Sequence, residues 1–463
     1  MTRGGAAMRN RAGLFHNPAE RDRRGSPALG YVLTLVDLRD LWFVSDLSGY
    51  RVLHKLKKTF RMKLTHGCWE KFSVGKISQS RGYRSVRSDL LGISSAVFAL
   101  ITLCGCGQDM PPIRLQMGMG DPAPAPSLRG LIAAGEPEAV LAAKDIMTVR
   151  GNAADASAAL AMTLSVTLPS RAGLTAGGEC LVRDPSWREV LVLSFGGRDA
   201  DRRAPTLARG MFALQARFGK RPWAQVIAPA EKRARFGVMV SRALANDLAT
   251  SGSILIENRA AFLQFSSPRR QLLAIGERLQ QPQLAATLGE MRARGPQVVT
   301  EAPAWTPVTL RDQGGVAVFR HDSVAAAGGV GTAFTVADAN GLLVSCVISM
   351  GAPFGDGRIV ADTGFTGSTR PSGGSLAFVM NGDTGEPRAA VAGPAARVAA
   401  FTESAALGRK RLADIKATVG AGPGALPVAA WACPSGLQSD GRACESFTQP
   451  DSAGYALVVL PED

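Results

Sequence analysis

Thr332 stands at the head of a strand-like run in Gly331–Gly357, which reads GTAFTVADANGLLVSCVISMGAPFGDG. A threonine there has a chemical use if the backbone is cut just before it. The freed α-amine then lies beside the hydroxyl of the same residue and acts as the base that activates it. Gly328-Gly329-Val330-Gly331 gives the chain ahead of that bond the freedom to take up a strained conformation. The same threonine also suits a strand start for its β-branching alone.

The elements that would carry this residue follow from local pattern. Phe334, Val336 and the run from Leu342 to Ile348 are β-branched and apolar, and Asn340-Gly341 between them is a hairpin-turn dipeptide. Upstream, Pro137 to Val149 has helical spacing and Gly151-Asn152 ends it. Ala153 to Val166 is an alanine-rich helix with little polar surface, expected to be buried between layers. Strands are predicted at Glu179–Arg183, launched by Gly177-Gly178, and at Glu189–Phe195. Phe212 to Arg294 is mostly helical, and 302–326 reads as linker. Leu376–Met380, Ala389–Val391 and Tyr455–Leu460 read as strands, and Ala395–Leu407 as a helix. Buried helices against apolar strands place the chain in the α+β class.

The net charge of +15 does not make this a nucleic-acid binder. Residues 1–105 hold 18 Lys/Arg against 7 Asp/Glu, a net of +11, whereas the rest holds 35 against 31, only +4. The main body therefore lacks the basic stripe that phosphate binding needs. Arg81, Arg84 and Arg87 precede an apolar run, Leu90 to Leu103, that ends at Cys104-Gly105-Cys106. A positive flank, a short apolar stretch and small residues describe a secretory signal. The run is too short for a comfortable membrane span. Leu103-Cys104-Gly105-Cys106 looks like a bacterial lipobox, so Cys106 (or Cys104) is the expected lipidated residue, and an exported protein, periplasmic or membrane-anchored, is expected. Residues 1–80 precede this signal and are expected to lie outside the mature protein, with translation starting near Met62 or Arg84. The signal is placed at 81–106 and a proline-rich tether at 107–127. Cys433 and Cys444 lie eleven apart in a loop-like segment and form an expected disulfide, while Cys180 and Cys346 read as small core residues. Four histidines, three of them before residue 67, make a histidine-based metal site improbable.

Gly331-Thr332-Ala333-Phe334-Thr335-Val336-Ala337-Asp338 resembles the Thr-Thr-His-Phe/Tyr-Ser-Val-Val-Asp motif of γ-glutamyltranspeptidases, which are N-terminal-nucleophile hydrolases. The similarity runs without a gap to Phe354-Gly355-Asp356-Gly357. Gly151-Asn152-Ala153-Ala154-Asp155-Ala156 and Gly173-Leu174-Thr175-Ala176-Gly177-Gly178-Glu179 resemble two further family segments. The resemblance covers roughly 127–400. It implies an αββα four-layer sandwich, with 128–331 as the larger part and 332–463 as the smaller, and no metal or organic cofactor.

In the ungapped frame the family's nucleophile position falls on Gly331 and the following one on Thr332. Two outcomes are open. Either cleavage between Gly331 and Thr332 makes Thr332 the nucleophile, or the site is inactive. Ser349 matches a family threonine beside the nucleophile. Arg198 is the candidate carboxylate clamp, Ser372 stands for one of the family's paired serines, and Ala395-Ala396 fall near the glycines whose N–H groups hold the oxyanion. Gly351 replaces the family's asparagine, and the segment supplying its ammonium ligands is absent. Substrate-facing positions are thus altered more than packing positions. The resemblance implies an acyl-enzyme reaction on a small γ-glutamyl or other amide substrate, in a heterodimer of self-cleaved fragments. The competing readings are an amidase for another acyl group and a non-catalytic envelope lipoprotein.

Overall fold

The computed structural model describes residues 60–63 and 69–72, and residues 128–461 apart from 187–188, 197–200, 296–302, 313–314, 324–329, 407–411, 420–425, 440–442 and 450–451. The chain divides into two units, Met1–Arg114 and Leu115–Asp463. In the first, β1 (Phe60–Lys63) pairs antiparallel with β2 (Trp69–Phe72). The predicted signal peptide and lipobox, Cys104 and Cys106 included, lie outside the described residues.

The second unit is built on two sheets. Its strands are β3 (Gly130–Ala134), β4 (Gly177–Arg183), β5 (Val190–Phe195), β6 (Val238–Met239), β7 (Arg278–Leu279), β8 (Ala304–Pro307), β9 (Leu310–Asp312), β10 (Val316–Asp322) and β11 (Val330–Asp338). Then come β12 (Leu343–Gly351), β13 (Ser375–Asn381), β14 (Pro387–Gly393), β15 (Ala429–Ala432), β16 (Glu445–Thr448) and β17 (Tyr455–Val459). One sheet runs β17-β3-β11-β12-β4-β5-β8 and the other β16-β15-β14-β13-β10-β9, with β6 and β7 forming a separate small ribbon. The candidate threonine therefore sits on an interior strand of the larger sheet, between β3 and β12.

Alternation along each strand divides the core into three bands. Leu131, Ala133, Leu181, Ala333 and Val347 of the larger sheet pack against Phe319, Phe378, Ala390 and Trp431 of the smaller. Ile132, Ala134, Val182, Phe334 and Val344 face the other way, onto helices including Pro137–Thr148, Ala153–Thr167 and Trp223–Phe236. Val318, Val379, Val391 and Ala430 of the smaller sheet pack on Val398, Phe401 and Ile415 of helices Ala395–Ala406 and Leu412–Val419. Helices, sheet, sheet and helices are the four layers that the resemblance implied. Helix Ala153–Thr167 is buried at every residue, as its lack of polar surface required. Among the described residues no helix is long and apolar enough to cross a membrane.

Two expectations change. Residues 304–322, read as linker, contain β8, β9 and β10, and β10 pairs with β13 along its whole length. Cys180 and Cys346, read as separate core residues, are directly opposite across β4 and β12 and joined by a disulfide, with Cα atoms 4.1 Å apart. Two buried sulfurs on facing residues of adjacent strands are within bonding reach, which spacing in sequence does not reveal. The expected Cys433–Cys444 disulfide is present.

Candidate active site

The two ends of β11 have different jobs. At its C-terminal end, Asp338 is buried and its carboxylate accepts hydrogen bonds from the backbone N–H groups of Ala153 (3.0 Å), Asn340 (2.9 Å) and Leu342 (3.2 Å). Burial raises its pKa, and these N–H donors oppose that rise. Asn152 caps helix Ala153–Thr167, accepting from the Ala154 and Asp155 N–H groups, while Asp155 accepts from Asn152 N–H in return. Asp155, fully buried, also accepts from the N–H groups of Lys220 and Arg221 and from Gln215 Nε2. The Gly151–Ala156 motif is thus a joint that locks helix, hairpin and the segment after Phe218 together.

The N-terminal end of β11 is irregular. The β11–β12 register slips between Val330 and Gly331, so that Val330 faces Gly351 and Gly331 faces Ser349. A bulge of this kind re-aims the chain beside it. Ser349 Oγ donates to Val330 O (2.7 Å) and accepts from the N–H groups of Gly351 (2.9 Å) and Ser372 (3.1 Å), with Ser372 Oγ 2.7 Å away. The structure therefore brings Gly331, Ser349 and Ser372 together.

Thr332 is elsewhere in this neighbourhood. It is fully buried, its Oγ1 has no hydrogen-bond partner, and that oxygen would lie 2.8 Å from a Cβ placed on Gly135. Gly135 directly follows β3, on the opposite flank of β11 from Ser349. A step of one residue along a strand reverses the face it presents. The motif's first position and Thr332 are accordingly not interchangeable in this fold. Nor does Gly331 have room for a side chain: a Cβ there would meet Ile348 O at 2.6 Å and Ser349 Cβ at 3.3 Å. Gly351, in place of an asparagine, has φ +84°, and a Cβ there would come within 2.3 Å of Arg370 O. Its backbone rather than drift alone demands glycine.

Arg198 lies outside the described residues. Ala395 and Ala396 open the helix on the outer face of the smaller sheet, both exposed, and the Arg320 guanidinium donates to Ala395 O at 3.4 Å. Among the described residues no hydrogen bond links them to Thr332, Ser349 or Ser372. No cluster of metal-ligating residues occurs among the described residues.

Two groups were passed over in the sequence. Glu136 is 1 % exposed, and Oε2 of its carboxyl has no partner. Burial pushes its pKa up to about 7, with the Glu138 carboxylate adding to the rise and Ser241 opposing it. Its signal was the Gly135-Glu136-Pro137 sequence, which reads as an ordinary helix start. The second group is Glu179 on β4, 3.2 Å from His321 on β10, so that this pair spans the two sheets. Burial works to raise the Glu179 carboxyl, but His321, Ser323 and Ser194 together hold it below its ordinary value. Its partner became visible only once 304–322 proved to be strands.

The comparisons with known proteins agree with this architecture. The family model described as Gamma-glutamyltranspeptidase matches residues 202–301. The chain is 28% identical over 201 residues to a glutathione hydrolase proenzyme of Escherichia coli, covering 37% of this chain and 34% of the relative. It is 28% identical over 208 residues to the acylase ACY 1 proenzyme of Pseudomonas sp. strain V22, covering 38% and 37%. The matched stretch thus spans about a third of the length of the curated relatives. A cephalosporin acylase from Bacillus halodurans superposes with a TM-score of 0.54 at 16% identity, over 74% of this chain and 99% of that one. That likeness speaks to fold, which the four layers already showed. Taken with the motifs on β11 and helix Ala153–Thr167, these matches show that the chain is similar to proteins of the γ-glutamyltranspeptidase family.

Proposed function

We propose that this protein is an amide-cleaving acyltransferase or hydrolase of the N-terminal-nucleophile type, acting on a γ-glutamyl or related acyl amide. In this reading the chain cuts itself between Gly331 and Thr332. The observation that carries it is the Thr332 hydroxyl: buried, without a partner, and one residue past the bulge on an interior strand. A buried polar atom left unmatched asks for a reason, and a reacting group is one. Once cut, the new Thr332 amine takes the hydroxyl proton while Oγ1 attacks the substrate carbonyl. The amine portion leaves with that proton, and water or an amino acid releases the acyl group from Oγ1. The freed terminus has to turn its hydroxyl from the Gly135 side of β11 toward Ser349 and Ser372, which the mobility of a chain end allows. The first-turn N–H groups of Ala395 and Ala396 are the oxyanion donors of this reading, and Arg198 its carboxylate clamp. Export and a lipid anchor at Cys106 complete the proposal.

One observation favours a second reading. Gly331, not Thr332, faces Ser349, and no side chain fits there without displacing Ile348 O. A family fold retained for binding, with the nucleophile position closed, would look this way.

Gel analysis of the purified full chain separates the two. The hydrolase reading expects two fragments, with Thr332 the first residue of the smaller, and a Thr332→Ala chain that stays whole. A wild-type chain that stays whole supports the binding reading instead.

A further inference from the structure

The Gly331–Thr332 bond lies just past a crossing between the two sheets. Strand β10 ends at Asp322 in the smaller sheet, and β11 begins at Val330 in the larger. A peptide bond that must meet a neighbouring hydroxyl depends on how the chain around it is held.

One short segment, 372–374, touches both ends of this crossing. Just after β10, the Ser323 N–H donates to Gly374 O at 2.9 Å. At the start of β11, Ser349 Oγ donates to Val330 O at 2.7 Å and accepts from the Ser372 N–H at 3.1 Å. The ladder with β13 fixes β10 within its own sheet. What that ladder leaves open is how β10 is aligned with the larger sheet.

A polar contact between the sheets lies at this point. Leu181 on β4 and Phe319 on β10 belong to the apolar layer between the sheets. Two residues along the same faces come Glu179 and His321. His321 Nε2 approaches Glu179 Oε2 to 3.2 Å and has no hydrogen-bond partner elsewhere. Ser194, directly opposite Glu179 on β5, donates to its Oε1 at 3.4 Å. Ser323 bonds to the same carboxylate. One side chain of the larger sheet thus grips the residues on either side of the end of β10. Apolar side chains here would hold the sheets together as well, because a pair taken out of water recovers little of its desolvation cost. Alignment is what the pair adds.

We propose that Glu179 and His321 are positioning residues for self-cleavage, setting the crossing so that the Gly331–Thr332 bond meets the Thr332 hydroxyl. The inference rests on the hydrolase reading above. In that cleavage Thr332 Oγ1 bonds to the carbonyl carbon of Gly331, the Gly331–Thr332 C–N bond breaks, and the hydroxyl proton ends on the Thr332 nitrogen. Water then hydrolyses the ester between Gly331 and Oγ1, restoring the hydroxyl and leaving a carboxylic acid on Gly331. Glu179 and His321 exchange no proton in these steps. They act through the placement of the chain that leads into the bond.

The test times the conversion of freshly made full-length chain to fragments. Glu179→Gln should cut roughly ten- to a hundredfold more slowly than wild type. His321→Gln should be slowed by a similar factor, and the double variant should be no slower than the slower single one, because the two residues act as one contact. Glu179→Asp, which keeps the charge, should recover part of the rate. Melting midpoints should stay near that of wild type, since a partly exposed pair contributes little to stability. A merely structural contact would lower the midpoint and leave no rescue by aspartate. Variants that cut at the wild-type rate, factors that multiply in the double variant, or a Glu179→Gln chain that fails to fold would each overturn the positioning role and leave the hydrolase reading standing. A wild-type chain that never cuts overturns both.

Discussion

Strand β11 ends in two opposite ways. At Asp338 every carboxylate oxygen is matched by a backbone donor, and the neighbouring Asn152 and Asp155 close a reciprocal cap. At Gly331 and Thr332 the register slips, a hydroxyl is left without a partner, and Gly331 and Gly351 stand where side chains do not fit. Family likeness is strongest at the first end and weakest at the second. The difference teaches that a motif can persist because it holds layers together. The Gly151–Ala156 match is evidence of architecture, and chemistry has to be argued from the other end of the strand.

If the Asp338 end is the structural one, damage there should cost the most. Asp155→Ala strips the acceptor from four donors, two of them buried, and a loss of about 4 kcal/mol is expected in urea unfolding. A loss under about 1 kcal/mol would remove the structural half of the contrast. Replacing Cys180 and Cys346 together by alanine opens a crosslink spanning 166 residues, and should cost about 3–4 kcal/mol. Unfolding of the wild type with and without reductant measures this loss together with that of the Cys433–Cys444 bond.

The other end should show the reverse sign. The carboxyl of Glu136 is raised in the folded chain from 4.5 to about 7. Folding is therefore favoured below pH 4.5, where both states are protonated, and that advantage is lost as pH rises through 7. At pH 8 Glu136→Gln should unfold with about 3 kcal/mol more stability than wild type, a gain that shrinks toward pH 4.5. Stabilisation on removing a buried carboxylate is the mark of a group kept for a reason other than holding the fold. A Glu136→Gln chain that is less stable at pH 8 would make Glu136 structural. The smallest effect should come from Ser372→Ala. That change removes one hydroxyl partner of Ser349 while its own N–H stays bonded, at a cost of about 1 kcal/mol.

Much of the architecture was legible in the sequence because each element had a local cause. The alanine-rich run 153–166 could only be a buried helix, and the apolar strands around Asn340-Gly341 could only fold back on each other. Even there the turn is longer than a two-residue one, spanning 339–342, with Gly341 alone at positive φ (+87°). Strands β8 to β10 escaped because Ala304–Pro307 is short and mostly exposed, and the pairing of β10 with β13 joins segments far apart in sequence. The four alanine-rich residues of β15 carry little strand propensity, and the sheets on either side decide their conformation. The Cys180–Cys346 bond is a consequence of register, which local pattern does not contain. The site was legible as a list of residues and not as an arrangement. Ser349 and Ser372 do meet, but the offset of Thr332 by one position from the family frame became a difference of flank only when β3 and β12 took their places beside β11.

Intact-mass analysis of the purified full-length chain, with N-terminal sequencing of any fragment, tests the central claim most directly. The account predicts a fragment whose first residue is Thr332, formed without added protease and absent from the Thr332→Ala chain. Recovery of an unbroken backbone across Gly331 and Thr332 under every condition would contradict it.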